Sequence, residues 1–259
     1  MHFPRHATPF LLLLASACPE RTVPERGVQL LYRKATTDSV RTVVDRRLAQ
    51  LKLKANLHED DSTLSVRVPE GGDLGPIKSL LARSGHLEFC PEDETIAEPW
   101  CARAWAPPVT TNRGDTTCAL LAPTRAQLEL ALGDAGVPLA FGTDGDQATV
   151  YALREDRCLT PRVVNAEPKP SGLMLEFDRP TGRAFAELTK DTVGHRLIIR
   201  LEGVVTSAPV VREPITGGRA MITSTPKDDL PVLGALLVGG TLPALTLEKE
   251  APYGPPSLR

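Results

Sequence analysis

Residues 173–223 read LMLEFDRPTGRAFAELTKDTVGHRLIIRLEGVVTSAPVVREPITGGRAMIT and contain the clearest succession of elements in the chain. The opening LMLEF places Leu, Leu and Phe at alternate positions, which predicts a half-buried strand. An amphipathic helix is then predicted over residues 181–193, and RLIIRLEGVV predicts a hairpin that turns at Glu202 and Gly203. The Gly-Gly pair at 217–218 breaks the chain before a closing strand.

Residues 27–90 show a second regular order. A first strand leads to a helix that Thr37 or Asp38 is expected to cap, and two strands joined by a polar turn follow. Asp73 is expected to cap a second helix, and a further strand starts at Leu87. The apolar face of the first helix is formed by Val40, Val43, Val44, Leu48 and Leu51. The order βαββαβ predicts an α+β fold with a ferredoxin-like base.

The regular pattern is interrupted in the middle of the chain. Residues 91–171 are predicted to be a Pro-rich loop insertion with one helix near 124–132 and one strand near 148–153. A final helix is expected after Asp228 or Asp229, with one apolar face before a Gly-Gly stop. That face is formed by Leu233, Leu236 and Leu237, and Leu245 and Leu247 predict a last strand.

The first twenty residues, MHFPRHATPFLLLLASACPE, are typical of an export signal rather than of a folded element. Arg5 precedes an uncharged run over residues 10–17, which is too short to cross a bilayer. Small residues stand directly before Cys18, so the segment resembles a bacterial lipoprotein signal in which Cys18 becomes the lipidated first residue. An ordinary cleaved signal with an incidental cysteine is the alternative.

The remaining cysteines favour disulfide bonds. An even number of cysteines in an exported protein is typical of disulfides, although four of them allow three pairings and the sequence does not choose among them. A bond between Cys101 and Cys118 is the first choice, since it would close a Pro/Thr/Gly-rich loop and add ~3 kcal/mol by the chain-entropy argument. The candidates are Cys90, Cys101, Cys118 and Cys158. The absence of CxxC spacing and of a neighbouring His argues against a zinc site, so no metal is predicted.

Composition and motifs argue against two functional classes. A net charge of -2 and a pI near 6.2 give no electrostatic footprint for nucleic acid. His58, His86 and His195 are scattered along the mature chain, and no HExxH, GxSxG or GxxxxGK[ST] pattern occurs. The sequence therefore predicts a protein that is not an enzyme, with no catalytic residues and no cofactor.

Three stretches resemble the first large periplasmic domain of SecD, the accessory subunit of the bacterial Sec protein-export machine. The first is VRTVVDRRLAQLKLKANLHEDDSTLSVRVPE at 40–70, followed by LARSGHLEF at 81–89. The second and most specific is the stretch at 173–223, which has the family's Phe-Asp strand end, Phe-Ala-x-Leu-Thr helix, Ser-Ala-Pro strand and Ile-x-Gly-Gly turn. The third is LLVGGTLPALTLEKEAPYGPPSL at 236–258.

The resemblance implies a ferredoxin-like base that carries an inserted α+β head subdomain. Val238 replaces the Arg that usually precedes the Gly of the third stretch, and the cysteine-rich segment from Cys90 to Cys118 has no recognised counterpart. The family's proton-coupling acidic residue lies in its membrane part, so energy coupling is not carried over. The predicted division is 1–18 signal peptide, 19–26 linker, 27–90 first part of the base, 91–225 Cys/Pro-rich insertion and head, and 226–259 return to the base and tail.

Two functions follow from the resemblance. The first is a membrane-tethered domain that binds or guides exported or unfolded polypeptide beside Sec translocon components; it predicts a groove between head and base lined by apolar side chains. The second is an envelope scaffold that uses the same fold for protein–protein binding. Either protein is expected in the cell envelope, on the periplasmic side and lipid-anchored to the outer or inner membrane.

We expect the mature N-terminus to be an acylated Cys18, because buried acyl methylenes, at ~0.8 kcal/mol each, would supply the membrane anchor. Mass spectrometry of the mature protein would show the lipid mass, and globomycin would make the precursor accumulate. An unmodified N-terminus whose processing is insensitive to globomycin would contradict the lipoprotein interpretation.

Overall fold

The computed structural model describes residues 26–105, 107–113, 118–223 and 230–254. The strands are β1 (Gly27–Lys34), β2 (Asn56–Glu59), β3 (Thr63–Pro69), β4 (Leu87–Pro91), β5 (Thr110–Arg113), β6 (Cys118–Ala122), β7 (Leu139–Asp144), β8 (Gln147–Ala152), β9 (Val163–Lys169), β10 (Gly172–Phe177), β11 (Leu197–Leu201), β12 (Val204–Ser207), β13 (Arg219–Ile222) and β14 (Leu245–Tyr253). The helices are α1 (Arg41–Gln50), α2 (Leu74–Ala82), α3 (Glu94–Ala102), α4 (Arg125–Leu132), α5 (Arg179–Asp191) and α6 (Leu230–Gly239).

The base is an antiparallel sheet of order β14-β1-β3-β2 that packs against α1 and α2. This is the strand order of a ferredoxin-like sheet, with β14 in the place of the fourth strand. The apolar positions predicted for α1 lie in this core, where Val40, Val44 and Leu48 are buried and Val43 and Leu51 pack beside them. The 3.6-residue periodicity therefore identified the buried face of α1 correctly.

The predicted βαββαβ order is present from β1 to β4, but β4 does not complete the base sheet. It pairs with β11 in a separate sheet of order β12-β11-β4. The reason is burial: four of the five positions of LEFCP are buried, so β4 needs cover on both faces. Strand β14, LTLEKEAPY, is charged and largely exposed, which suits an edge strand with one wet face.

The head consists of the sheets β13-β10-β9 and β12-β11-β4 with α5. Its core contains the rings of Phe89, Phe177 and Phe185, whose centroids lie 4.9 to 5.9 Å apart in tilted and edge-to-face arrangements. Asp178 accepts a hydrogen bond from the Thr181 N–H and so caps α5. The β11–β12 hairpin turns at Glu202 and Gly203, both at positive φ, as the sequence predicted.

The insertion is more regular than the sequence suggested. Its sheet has the order β5-β6-β8-β7, and α3 and α4 contribute to the core on one face while the other face packs against β4 and β11. The prediction of a Pro-rich loop with one helix and one strand was wrong for most of this segment. All five residues of β6, CALLA, are buried, so the strand has no polar alternation to reveal it.

Two disulfides involve the insertion: one joins it to β4, and the other lies within it. Cys90 of β4 is bonded to Cys158, with Cα atoms 4.2 Å apart. Cys101 at the end of α3 is bonded to Cys118 at the start of β6, with Cα atoms 5.7 Å apart. This combination of bonds is the one, of the three possible pairings, that contains the Cys101–Cys118 bond preferred from the sequence.

Helix α6 lies between the base and the head. Val232, Ala235 and Leu236 are buried in the core of the base, whereas Leu233 and Leu237 are buried in the core of the head. The sequence predicted one apolar face, but the helix has two, because it is covered on both sides. In the described part of the chain, no helix combines the length and the apolar character that a membrane span requires.

The start of α1 is capped from a distance. The predicted Thr37 or Asp38 cap is not formed; instead the Glu59 carboxylate accepts hydrogen bonds from the N–H groups of Val40 at 2.8 Å and Arg41 at 3.2 Å. Burial opposes ionisation of Glu59, but hydrogen bonds to its carboxylate lower its pKa to about 2. A carboxylate at a helix N-terminus complements the unpaired N–H groups and the helix dipole.

Arg47 is fully buried and joins α1 to the ends of two other helices. Its guanidinium donates hydrogen bonds to the carbonyls of Leu80, Arg83 and Ser84 at the end of α2, at 2.5 to 2.6 Å. It also donates to the Gly240 carbonyl directly after α6, at 2.8 Å. These carbonyls have no partner within their own helices, so one cation satisfies both helix ends.

A buried glutamate faces an arginine where the insertion meets the head. Glu92 is 4% exposed, and its Oε2 atom is 3.8 Å from Nε of Arg196, whose guanidinium lies 5.9 Å from the ring centroid of Tyr151. Burial raises the pKa of Glu92 to about 7; Arg196 opposes this shift and Glu94 adds to it. The native protein therefore holds a proton on Glu92 at pH values where the unfolded chain has released it.

We expect Arg47→Met to lower the free energy of unfolding by about 3 kcal/mol or more, because buried helix-end carbonyls lose their donor. Urea unfolding followed by circular dichroism would measure the loss. The control is Arg46→Met, an exposed neighbour on the same helix, for which a change within about 0.5 kcal/mol is expected. Equal stability of the two variants would contradict the role assigned to Arg47.

We expect the stability difference between the native protein and Glu92→Gln to depend on pH. Since the pKa of Glu92 is about 7 in the folded state and 4.5 ordinarily, the native protein should lose up to about 3 kcal/mol relative to the variant as pH rises from 4.5 to 7. Urea midpoints across this range would show the trend. Glu98→Gln, exposed on α3, is the control; a pH-independent difference for Glu92→Gln would overturn the assignment.

Candidate binding cleft between base and head

A cleft of about 270 Å³, the junction cleft, lies where α6 separates the base from the head. From the base it is lined by Arg46 of α1 and by Gly85, and from the head by residues 160–164 at the start of β9. Leu87, Leu237, Val238, Gly240 and Thr241 complete the lining. The cleft therefore has walls from both halves of the fold.

A second cavity, of about 170 Å³, lies on the head side of α6. Its apolar lining is formed by Leu87, Leu201, Val205, Ile222, Leu233 and Leu237, and three threonines complete it. Leu87 and Leu237 line both cavities, so this pair of side chains separates them.

The junction cleft is less apolar than the groove that the sequence analysis expected. Val163, Leu87 and Leu237 form a buried apolar floor, and Val164 is 48% exposed at the opening. The rim, however, includes Arg46 and Arg162, and none of the described lining residues is Asp or Glu. The cleft combines apolar contact with positive charge.

Glycine is required beside the cleft by the buried Arg47. Gly85 has φ +69°, and a Cβ atom there would lie 2.9 Å from Arg47 Nη2. A Cβ atom at Gly239 would collide with Arg47 Cγ. Burial lowers the pKa of Arg47 to about 10, while the carboxylate of Glu202 offsets part of the shift, so the group stays charged at neutral pH.

The side chains of the junction cleft are apolar, hydroxyl-bearing or cationic. Within the described ranges no His, Cys, Asp or Glu lines it, and the strongly shifted carboxyl of Glu92 lies elsewhere. Across the described ranges, no group of three or more His, Cys, Asp or Glu side chains is placed to hold a metal ion. What this lining can do is bind, by burying apolar side chains and pairing with negative charge.

The histidines considered in the sequence analysis are kept apart. Nδ1 of His195 lies 2.8 Å from Oε1 of Glu94, and Nε2 of His86 lies 3.3 Å from Oε1 of Glu88. These carboxylate partners were not predicted. The His195–Glu94 pair depends on how α3 packs against the head, which no local pattern indicates.

The predicted and observed site residues differ. Four of the cysteines singled out from the sequence form two disulfides, while Cys18 lies outside the described residues. Sequence reasoning missed Arg46 and Arg162, which carry the charge of the junction cleft. They lie 116 positions apart (162 minus 46) in a sequence of 30 Lys and Arg residues, so no motif distinguishes them.

Comparison with known families and proteins gives a consistent result. Residues 143–244 match the family described as SecDF, P1 head subdomain. The protein translocase subunit SecD of Magnetococcus marinus is 40% identical over 83 residues, which cover 31% of this chain and 16% of that protein. SecD of Rhodobacter capsulatus is 27% identical over 263 residues, covering 96% of this chain and 43% of its own length. The chain thus spans less than half of either relative.

Solved structures show the same fold. SecDF in a super-membrane-facing form aligns with a TM-score of 0.57 at 20% identity, over 92% of this chain and 32% of that chain. A structure of SecDF as a membrane component that enhances protein export aligns with a TM-score of 0.55 at 20% identity, over 85% of this chain and 98% of that chain. The chain is therefore similar to SecD over almost its whole length and to the SecDF P1 head subdomain over residues 143–244, and it shares the fold of the solved SecDF structures.

Proposed function

We propose that this chain is a non-enzymatic, periplasm-facing domain that binds or guides polypeptide during protein export. Its partners are exported or unfolded chains and components of the Sec translocon, and its tether is a lipid on Cys18. The relatives that support this proposal are named as protein translocase subunits. They are longer than this chain, so their activity enters here as a proposal.

The junction cleft is the observation that carries the proposal. Most of its lining residues fall within the part that matches the P1 head subdomain, and its apolar floor is reached through an opening where Val164 is 48% exposed. A volume of about 270 Å³ accommodates side chains of a passing segment rather than a folded domain. Binding that uses a small apolar floor is sequence-tolerant, as guidance of many different chains requires.

The fixed relation between base and head also supports this role. Because α6 contributes Leu236 to one core and Leu237 to the other, the walls of the cleft do not depend on a flexible linker. A preformed cleft avoids the entropic cost of ordering its walls when a polypeptide binds.

We expect a photo-crosslinking amino acid at position 164 to capture secreted polypeptides in cells, because this side chain is exposed at the cleft opening. Immunoprecipitation and mass spectrometry would identify the captured chains. The matched control is position 130 on α4, where Leu130 is 86% exposed but belongs to the insertion.

Crosslinking at these two positions also distinguishes polypeptide binding from the alternative function, an envelope scaffold. Capture of a single folded envelope protein at position 130, with no secreted chains at position 164, would favour the envelope scaffold. The observation that supports this alternative is the insertion, which is cross-linked by the Cys101–Cys118 disulfide. Equal recovery of secreted chains at both positions would refute the junction cleft as the binding site.

A further inference from the structure

The rim of the junction cleft carries positive charge from both halves of the fold. Arg46 reaches it from α1 in the base, and Arg162 reaches it from the segment just before β9 in the head. Among the residues that the structure describes, no carboxylate lines the cleft, although the whole chain has a net charge of -2. The charge at the rim of the cleft is therefore positive, opposite in sign to the net charge of the protein.

The nearby charges leave this rim positive. Arg46 takes part in no ion pair within the described ranges, and Arg162 has only an exposed contact, with Nε 3.7 Å from Oδ2 of Asp178. Such an exposed pair is weak and is readily exchanged for another partner. The carboxylate of Glu202 lies beside Gly85 of the cleft, but it accepts hydrogen bonds from the Gly85 N–H and the Arg83 guanidinium.

The end of α6 would ordinarily oppose an anion here. Its C-terminal carbonyls carry partial negative charge, and Val238 and Gly240, at this end of the helix, line the cleft. The buried Arg47 donates to the Gly240 carbonyl and places a full positive charge beside it. Arg47 therefore offsets part of the negative charge at this end of the helix.

We propose that the junction cleft recognises an extended polypeptide segment in which an Asp or Glu neighbours an apolar residue. The carboxylate pairs with Arg46 and Arg162, and the apolar side chain lies on the floor formed by Leu87 and Leu237. This inference rests on the proposed function and adds the class of segment that is bound. Because one arginine comes from the base and the other from the head, the acidic segment bridges the two.

The test uses the full mature chain and two fluorescent peptides, an extended apolar peptide with a central Glu and the same peptide with Gln, measured by fluorescence anisotropy. We expect the Glu peptide to bind about tenfold more tightly, the typical effect of one charge-assisted contact. The ratio of the two peptide affinities should approach one in the double variant Arg46→Gln/Arg162→Gln, and it should also approach one when salt is added. Arg183→Gln, an exposed arginine on α5 outside the cleft, should keep the ratio.

The outcomes distinguish the two proposals. If both peptides bind equally and the double variant binds like the native protein, the acidic preference is wrong while polypeptide binding stands. If neither peptide binds, both proposals are wrong. If phosphatidylglycerol vesicles displace the Glu peptide as strongly as unlabelled peptide does, the arginines serve a lipid surface and the polypeptide assignment is overturned. Thermal unfolding of each variant shows that lost binding is not lost folding.

Discussion

The structure depends on the burial of α6 from two sides. The helix is apolar around most of its circumference, and its side chains divide between the core of the base and the core of the head. Fully burying such a side chain contributes about 1.5 to 3 kcal/mol, so neither half can leave the helix without exposing a large apolar surface. Base and head are consequently one packed unit, although their sheets share no strand.

The position of the cleft follows from the end of this helix. A helix that stops inside a protein leaves carbonyls without partners, and Arg47 of α1 satisfies the one at Gly240 together with those at the end of α2. That arrangement requires Gly85 and Gly239, since a side chain at either would meet the guanidinium or its stem. Gly85 and Gly240, which follow these helix ends, line the junction cleft together with Leu237.

Much of the fold could be predicted from short stretches of sequence, because one-sided burial gives each helix or strand a regular spacing of apolar residues. The buried face of α1, the cap at Asp73, the strand β10 and the turn at Glu202 were all predicted from spacing and turn chemistry. The insertion was not, because strands such as β6 are covered on both faces and lose their alternation. The Glu59 cap of α1 and the arginines of the cleft were missed, since their partners come from distant segments.

The α+β class, the order of elements in residues 27–90 and 173–223, and the family that the chain resembles can be read from the amino-acid sequence alone. These depend on interactions between residues close in the chain. Three features depend instead on the folded arrangement: β14, rather than β4, pairs with β1, Cys90 is bonded to Cys158, and Arg46 and Arg162 line one cleft. These arrangements bring together segments that are distant in the chain when the whole chain buries its apolar area, and no local window contains that information.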